Sequence, residues 1–381
     1  MTMLDVVPTP VSDDGGEAVG RPTRTVTKPL LVTLSHAVED FALAPSRDRP
    51  MAVIGMFQRF EYLEPQLDTW ARIAERCDGG AVVALAGEPP ALLPPGLGCV
   101  LLDDGEPAAR EWSVTVLTPR SGAGVVATDL ESVDGGARSL ERGRMFGASW
   151  SFRHSDAHAE LLRLRRLLGP RLGGRRTGAL DEVLSRVVAI PGTATDRRYD
   201  AAADRLARSL SDERRRADAA QSLVETYEPG AERDPRSGLP TRAFLDRWMH
   251  GSARGTLPLG LVLLRVRGLG GVGHRHGFRA EASVLRSIAG LLHGPTGATG
   301  RPVRIGREEF LLVLPGLDVP ALDGVARRLC ESIGGLASSY PFVPTPTHGA
   351  VVRTRRRPLP LDALWAALDD SAGTGVVRLP G

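Results

Sequence analysis

Two kinds of hydrophobic pattern alternate along the first half of the chain. From Pro29 to Ala44 the apolar positions Leu31, Leu34, Val38 and Phe41 recur every three or four residues, which predicts a helix. Met51–Met56 (MAVIGM) and Ala81–Ala86 (AVVALA) are unbroken apolar runs, as strands buried on both faces would be. Leu67–Arg76 lies between them with helical spacing. After a proline-rich loop at 89–96, strands are predicted at 99–103, 111–118 and 123–129, then a helix at 156–168. This alternation predicts an α/β layer over 26–170. Residues 1–25 hold Pro, Gly, Asp and Thr with little large apolar content, which predicts a disordered tail.

The pattern changes at residue 171. A helix is predicted around 178–189, closed by Pro191-Gly192, and a long one over about 196–227. On the long helix Ala203, Leu206, Leu210, Glu213, Ala217, Ala220, Val224 and Tyr227 fall at heptad spacing. That seam suits either a coiled coil joining two copies or one helix lying on its own domain. Residues 171–230 are therefore expected to be a helical linker. From 231 onward the α/β style returns: a strand at 259–266, a helix at 281–292, and a hairpin at 303–314 turning at Gly306-Arg307. A helix at 318–333, a strand at 349–353 and a short helix at 361–368 follow. The fold class expected is α/β (α+β), with two domains joined by the linker.

Charge sharpens the division. Residues 231–381 carry 20 Arg against 12 acids, net +8, whereas residues 1–230 are net −5. The whole chain is only +3, too little to demand a polyanionic partner, and no recognition-helix motif is visible, so no nucleic-acid partner is expected. Lys28 is the sole lysine; the other 47 basic residues are Arg. Aromatics are 5%, so the cores must be aliphatic. No apolar run nears the ~18 residues of a membrane span, and the start shows no basic-then-apolar leader pattern. Three well-separated cysteines (Cys77, Cys99, Cys330) exclude a disulfide framework and a cysteine zinc site. A cytoplasmic protein is the expectation.

Few residues suggest chemistry by type and spacing alone. His36 and Glu39, three apart on one helix, could share a proton or simply decorate the helix surface. Trp70, Trp112 and Trp150 could line a ligand pocket or pack a core. His154 and His158 have helical zinc spacing but no third ligand, so no metal and no other cofactor is expected.

Asp234-Pro-Arg-Ser-Gly-Leu-Pro-Thr-Arg242 is similar to Asp-x-Leu-Thr-Gly-Leu-x-Asn-Arg, the opening motif of the GGDEF family of diguanylate cyclases, and from Asp234 onward the chain resembles that family. Leu259–Gly277 resembles its first strand and turn, and Arg304-Ile-Gly-Arg-Glu-Glu-Phe310 its signature hairpin. The resemblance implies a cyclase-like palm, a mostly antiparallel sheet flanked by helices. Members join two GTP molecules with the help of divalent metal. Carried over residue by residue, the site is degenerate. Arg265 stands where a metal carboxylate belongs, Gly273 and Ala282 where guanine is read, and Leu269-Gly270 where Phe-Lys follows the strand. Arg307 replaces the second signature glycine; Gly306, Glu308, Glu309 and Phe310 persist. A guanidinium cannot ligate a cation. The product-binding Arg-x-x-Asp is Gly-Ala-Thr-Gly at 297–300. Arg265 is expected beside Glu308, standing in for the metal; an anion pocket of Arg265, Arg304 and Arg307 is the alternative.

In the first half Leu34–Glu39, Gly55-Met-Phe57-Gln58, Trp70, Arg110–Ser113 and Phe146 with Trp150-Ser151 run in an order that resembles the DICT family of sensory modules. His36, Glu39, Phe57, Trp70, Trp112 and Trp150 are the expected sensory-pocket residues. Together the resemblances imply a signalling protein with sensory input and degenerate output. It would act by binding proteins or nucleotide and dimerise through the linker. The alternative is a weak or altered diguanylate cyclase making cyclic di-GMP from GTP with Mg²⁺.

Overall fold

A computed structural model of the chain describes residues 23–187, 194–226, 232–252, 256–297, 299–341, 346–370 and 375–381. It is a mixed α/β structure with two sheets, as expected. The first sheet has seven strands: β1 (Arg24–Thr27), β2 (Ala52–Phe57), β3 (Ala81–Ala86), β4 (Gly98–Leu102), β5 (Glu111–Leu117), β6 (Gly122–Val133) and β7 (Arg144–Ser151). Their order is β1-β7-β6-β5-β2-β3-β4. β2, β3 and β4 run parallel, and β5, β6, β7 and β1 continue antiparallel.

Period-two geometry sends alternate side chains to opposite faces, and both faces are covered. Val53 and Phe57 join Val83, Leu85 and Trp112 beneath the helices Lys28–Leu43 and Leu67–Arg76. Ala52, Ile54 and Met56 join Val82 and Ala84 on the other face, beneath His154–Leu168 and Gly174–Ser185. This is why AVIGMF and AVVALA read as unbroken apolar runs. Leu180 and Val183 of Gly174–Ser185 are buried in that second core. The stretch expected to begin the linker thus contributes to the first domain. The last residues of the expected tail differ from expectation, because Arg24 and Thr25 pair with Ala148 and Gly147 in β1; residues 1–22 lie outside the described residues. Pro191-Gly192 and Tyr227 lie outside the described residues.

The helix Ala194–Thr226 lies against the first domain on one side. Ala207 is buried in that domain's core, Asp204 pairs with Arg24 at 2.5 Å, and Arg214 donates to Thr33 Oγ1 at 2.9 Å. Leu206 and Leu210 of the heptad seam face outward.

The second sheet is β12-β11-β8-β10-β9, with β8 (Leu259–Val266) central, flanked by β10 (Glu309–Pro315) and β11 (Thr347–Thr354). β9 (Arg301–Arg304) and β12 (Val376–Arg378) form the edges, and only the β11–β12 pair is parallel. One face packs on Phe278–Thr296 and Val319–Gly335, the latter capped by Asp318 accepting from Ala321 N at 2.9 Å. The other packs on Arg242–Met249 and Leu361–Asp370.

The domains meet along this second face. Val133 and Leu140 of the first domain share a core with Leu245, Trp248 and Leu257 of the second. Tyr62 Oη lies 3.4 Å from Thr256 Oγ1. Glu131, at φ 51° beside the bulge between Asp129 and Ser132, pairs with Arg355 at 2.9 Å and Arg353 at 3.6 Å.

Candidate functional site

The signature end of the second sheet is built by strand register. Glu309 is directly opposite Arg265 in the antiparallel β8–β10 ladder. Opposed residues point to the same face, so Arg265 Nε donates to Glu309 Oε1 at 3.1 Å, and Nη1 pairs with Asp369 from the last helix. The Asp369 carboxylate holds Arg265 above its ordinary pKa despite partial burial. The expectation of Glu308 as partner is corrected. Glu308 lies one residue before the strand; its carbonyl accepts from Val266 N at 2.9 Å, and its carboxylate accepts from Gly270 N at 2.9 Å.

The tight turn before β10 is held from inside. Ile305 and Gly306 N–H donate to Glu309 O at 3.1 and 3.3 Å. A Cβ on Gly306 would strike the Glu309 carboxylate, so a larger residue there would have to push that side chain aside. Arg304 donates to Gly306 O and Arg307 O at 3.1 and 3.0 Å and to Asp234 Oδ2 at 2.7 Å. Burial opposes ionisation of Asp234, but hydrogen bonds from Ser237 and Arg304 outweigh it and hold the carboxyl below its usual range. Arg265 and Arg304 are thus both engaged by carboxylates, and Arg307 alone of the three extends into solvent. No shared anion pocket of these arginines forms. Phe310 is fully buried in the core.

Gly273 and Ala282 sit on consecutive helices, Val272–His276 and Phe278–Thr296. The notch over Gly273 is filled by Glu281, whose carboxylate a Cβ on Gly273 would strike. Glu281 is 5% exposed and accepts from Arg236 Nη1 at 2.7 Å, and Arg236 also lies 5.6 Å over the Phe278 ring. The sequence reading overlooked Glu281 because a lone glutamate in an amphipathic helix carries no signal.

In the first domain Phe57, Trp70 and Trp112 are buried, with Phe57 in contact with both tryptophans. Phe57 meets Trp70 and Trp112 edge-on at 5.5 and 5.9 Å, and Tyr62 stacks on Trp112 at 5.6 Å. A Cβ on Gly55 would come within 2.6 Å of Trp70. These rings fill the space they were expected to line. Trp150 is half-buried under Arg24 at 5.4 Å. His36 is exposed and Glu39 buried. The Gln66 amide, turned to satisfy both, donates to Glu39 at 2.8 and 2.9 Å and accepts from His36 Nε2 at 2.8 Å. Trp70 Nε1 donates to Glu39 at 3.3 Å. Burial pushes the Glu39 carboxyl up to about 7; the Trp70 bond opposes this and Asp40 adds to it.

A second polar cluster was not anticipated. Lys28 lies 3.5 Å over the Tyr62 ring and pairs with Glu141. Arg144, fully buried, pairs with Asp129 and donates to Gln58 Oε1 at 2.6 Å and Tyr62 Oη at 2.7 Å. Burial pushes Lys28 down to about 8, against the pull of Glu141. The one available signal was the solitary lysine. Among the described residues no group of three His, Cys, Asp or Glu could hold a metal ion, and no helix is long and apolar enough to cross a membrane.

Residues 16–130 match the DICT family model. That family is described as a sensory domain in diguanylate cyclases and two-component systems, and the match covers the first domain through most of β6. No curated protein matches the chain. Among solved structures, diguanylate cyclase SiaD from Pseudomonas aeruginosa, in complex with its activator SiaC, is 22% identical. That alignment covers 59% of this chain and 87% of SiaD at a TM-score of 0.33. The GGDEF domain of DgcB from Caulobacter crescentus, in complex with c-di-GMP, is 16% identical over 40% of this chain and 97% of its own, TM-score 0.31. The S helix-GGDEF-EAL portion of Vibrio cholerae LapD, bound to c-di-GMP, is 22% identical over 44% of this chain and 40% of its own, TM-score 0.32.

Proposed function

We propose that this chain is a signalling protein in which a DICT-type sensory domain governs a GGDEF-like domain that binds rather than catalyses. The observation that carries the reading is the Arg265–Glu309–Asp369 cluster. Joining two GTP molecules requires cations to offset triphosphate charge and to activate a hydroxyl. A guanidinium at the end of β8 supplies a fixed positive charge, offers no lone pair, and ties up the neighbouring carboxylate. The Glu281 carboxylate in the Gly273 notch adds a second obstacle, since it meets an incoming base with negative charge and bulk. The output is then a contact, made with another signalling protein or with nucleotide. The outward Leu206 and Leu210 of the helix Ala194–Thr226 suit pairing with a second copy.

The test is incubation of the purified chain with GTP and Mg²⁺, with products separated by chromatography. No cyclic dinucleotide is expected; clear turnover defeats the proposal. Light scattering on the same sample reads the pairing, with a mass near twice 40.6 kDa expected and a monomer counting against it.

A further inference from the structure

At the end of the second sheet remote from Arg265, where β11 runs out, the chain reads Arg353-Thr-Arg-Arg-Arg357. These residues, with Pro258, Pro358 and Gly381, line an open cleft of about 780 Å³. Four guanidiniums within five residues repel one another unless anions lie among them. Glu131, from the first domain, pairs with Arg355 and Arg353. Arg357 is nine-tenths buried, and its hydrogen bonds go to neutral groups: Ser252 Oγ at 3.1 Å, Arg356 O at 3.0 Å and Leu257 O at 2.9 Å. Arg356 is exposed at the cleft. The Nε of Arg353 is buried without a hydrogen-bond partner.

We propose that this cleft binds the phosphate groups of a small phosphorylated molecule, and that its occupant competes with Glu131 for Arg353 and Arg355. Guanidiniums match phosphate oxygens in paired hydrogen bonds. The cleft's volume falls within the ~300–1,000 Å³ of small-molecule sites. Its concave shape between two prolines favours such a ligand over the extended track of a nucleic acid. Burial pushes Arg357 down to about 10, more than the nearby Glu141 carboxylate offsets, and Arg144 and Arg355 push it the same way as burial. Occupancy would draw Arg353 and Arg355 away from the first domain and so couple ligand to the domain junction. The site is independent of the Arg265 cluster and of the reading above.

Calorimetry of the full chain at low salt tests this, with pyrophosphate and ATP as probes. Binding of pyrophosphate is expected, weakened about tenfold or more by Arg356→Glu and tightened several-fold by Glu131→Gln. Equal affinities for the two probes assign recognition to phosphate alone; tighter ATP assigns it to a nucleotide. Arg356 is exposed, so its variant carries the test if Glu131→Gln unsettles the junction. No heat at millimolar probe overturns the proposal. So does binding that Arg356→Glu leaves unchanged but Arg307→Glu abolishes. Salt-sensitive binding of duplex DNA with pyrophosphate silent overturns it as well.

Discussion

Arginine meets carboxylate both inside the first domain and at the signature end of the second, with very different amounts of water around the pair. Arg144 and Asp129 are at 0% and 3% side-chain exposure, beneath Tyr62 and beside Gln58. Arg265 and Asp369 are at 17% and 64%. A buried pair must have every charge answered, because removing one partner strands the other in a medium that cannot solvate it. A half-exposed pair can lose a partner to water at small cost. The first cluster is therefore architecture. The second sits where substitution is tolerated by the fold, so what occupies it is free to follow function.

The sharpest way to break this comparison is Arg144→Met. It leaves Asp129 without its cation and Glu141, 3.5 Å from Arg144, with Lys28 alone, and a cost of about 3–5 kcal/mol is expected. Urea unfolding followed by tryptophan emission reads it, since Trp70 and Trp112 lie in the same core. Two domains need not unfold together, so the quantity to compare is the transition that moves these tryptophans. A change below about 1 kcal/mol would remove the distinction between the two clusters.

Glu39 gives a pH-dependent version of the same contrast. Its folded value, about 7, lies above the ordinary 4.5, because burial disfavours the carboxylate. A raised folded pKa means the native state holds the proton more tightly. The resulting stability is full below about 4.5 and is lost as pH rises through 7. Glu39→Gln keeps an acceptor for Trp70 Nε1 and removes the ionisation. Relative to the parent it should gain on the order of 1–3 kcal/mol at pH 8, and that gain should vanish near pH 4.5. Thermal unfolding across this range measures the slope; parallel curves for the two proteins would refute the buried-acid account.

How far the sequence carried depended on whether a feature was local. The runs at 52–57 and 81–86 announced themselves because both faces of β2 and β3 are covered. β7 escaped notice because Gly147, Ala148 and Ser149 give it almost no apolar contrast, and β1 has one apolar residue in four. The oddity of Arg265 could be seen from its strand, yet its partners could not. A one-residue difference in register decides between Glu308 and Glu309, and Asp369 arrives from 104 residues away. The aromatic residues were visible as a set, but whether rings line a cavity or fill it depends on their mutual packing. Glu131 was silent because its importance lies in a bulge and a positive φ, which only the paired strands create.

The smallest expected effect is the one that bears most directly on function. Arg265→Asp places a carboxylate at the end of β8, facing Glu309 across the ladder. The lost ion pairs are partly exposed, but the new carboxylate faces Glu309 and Asp369, so without metal the stability cost should be about 1 kcal/mol. Mg²⁺ should now find ligands there, and a metal-dependent rise in melting temperature is the expected sign. Cyclic dinucleotide should still not appear. Glu281 continues to fill the Gly273 notch, held by Arg236, and Arg307 still projects from the turn that would have to cradle phosphate. Metal binding without turnover would show that more than the Arg265 position stands between this domain and turnover. Turnover restored by this one substitution would mean that Arg265 alone closes the site, and that the filled notch opens for a base after all.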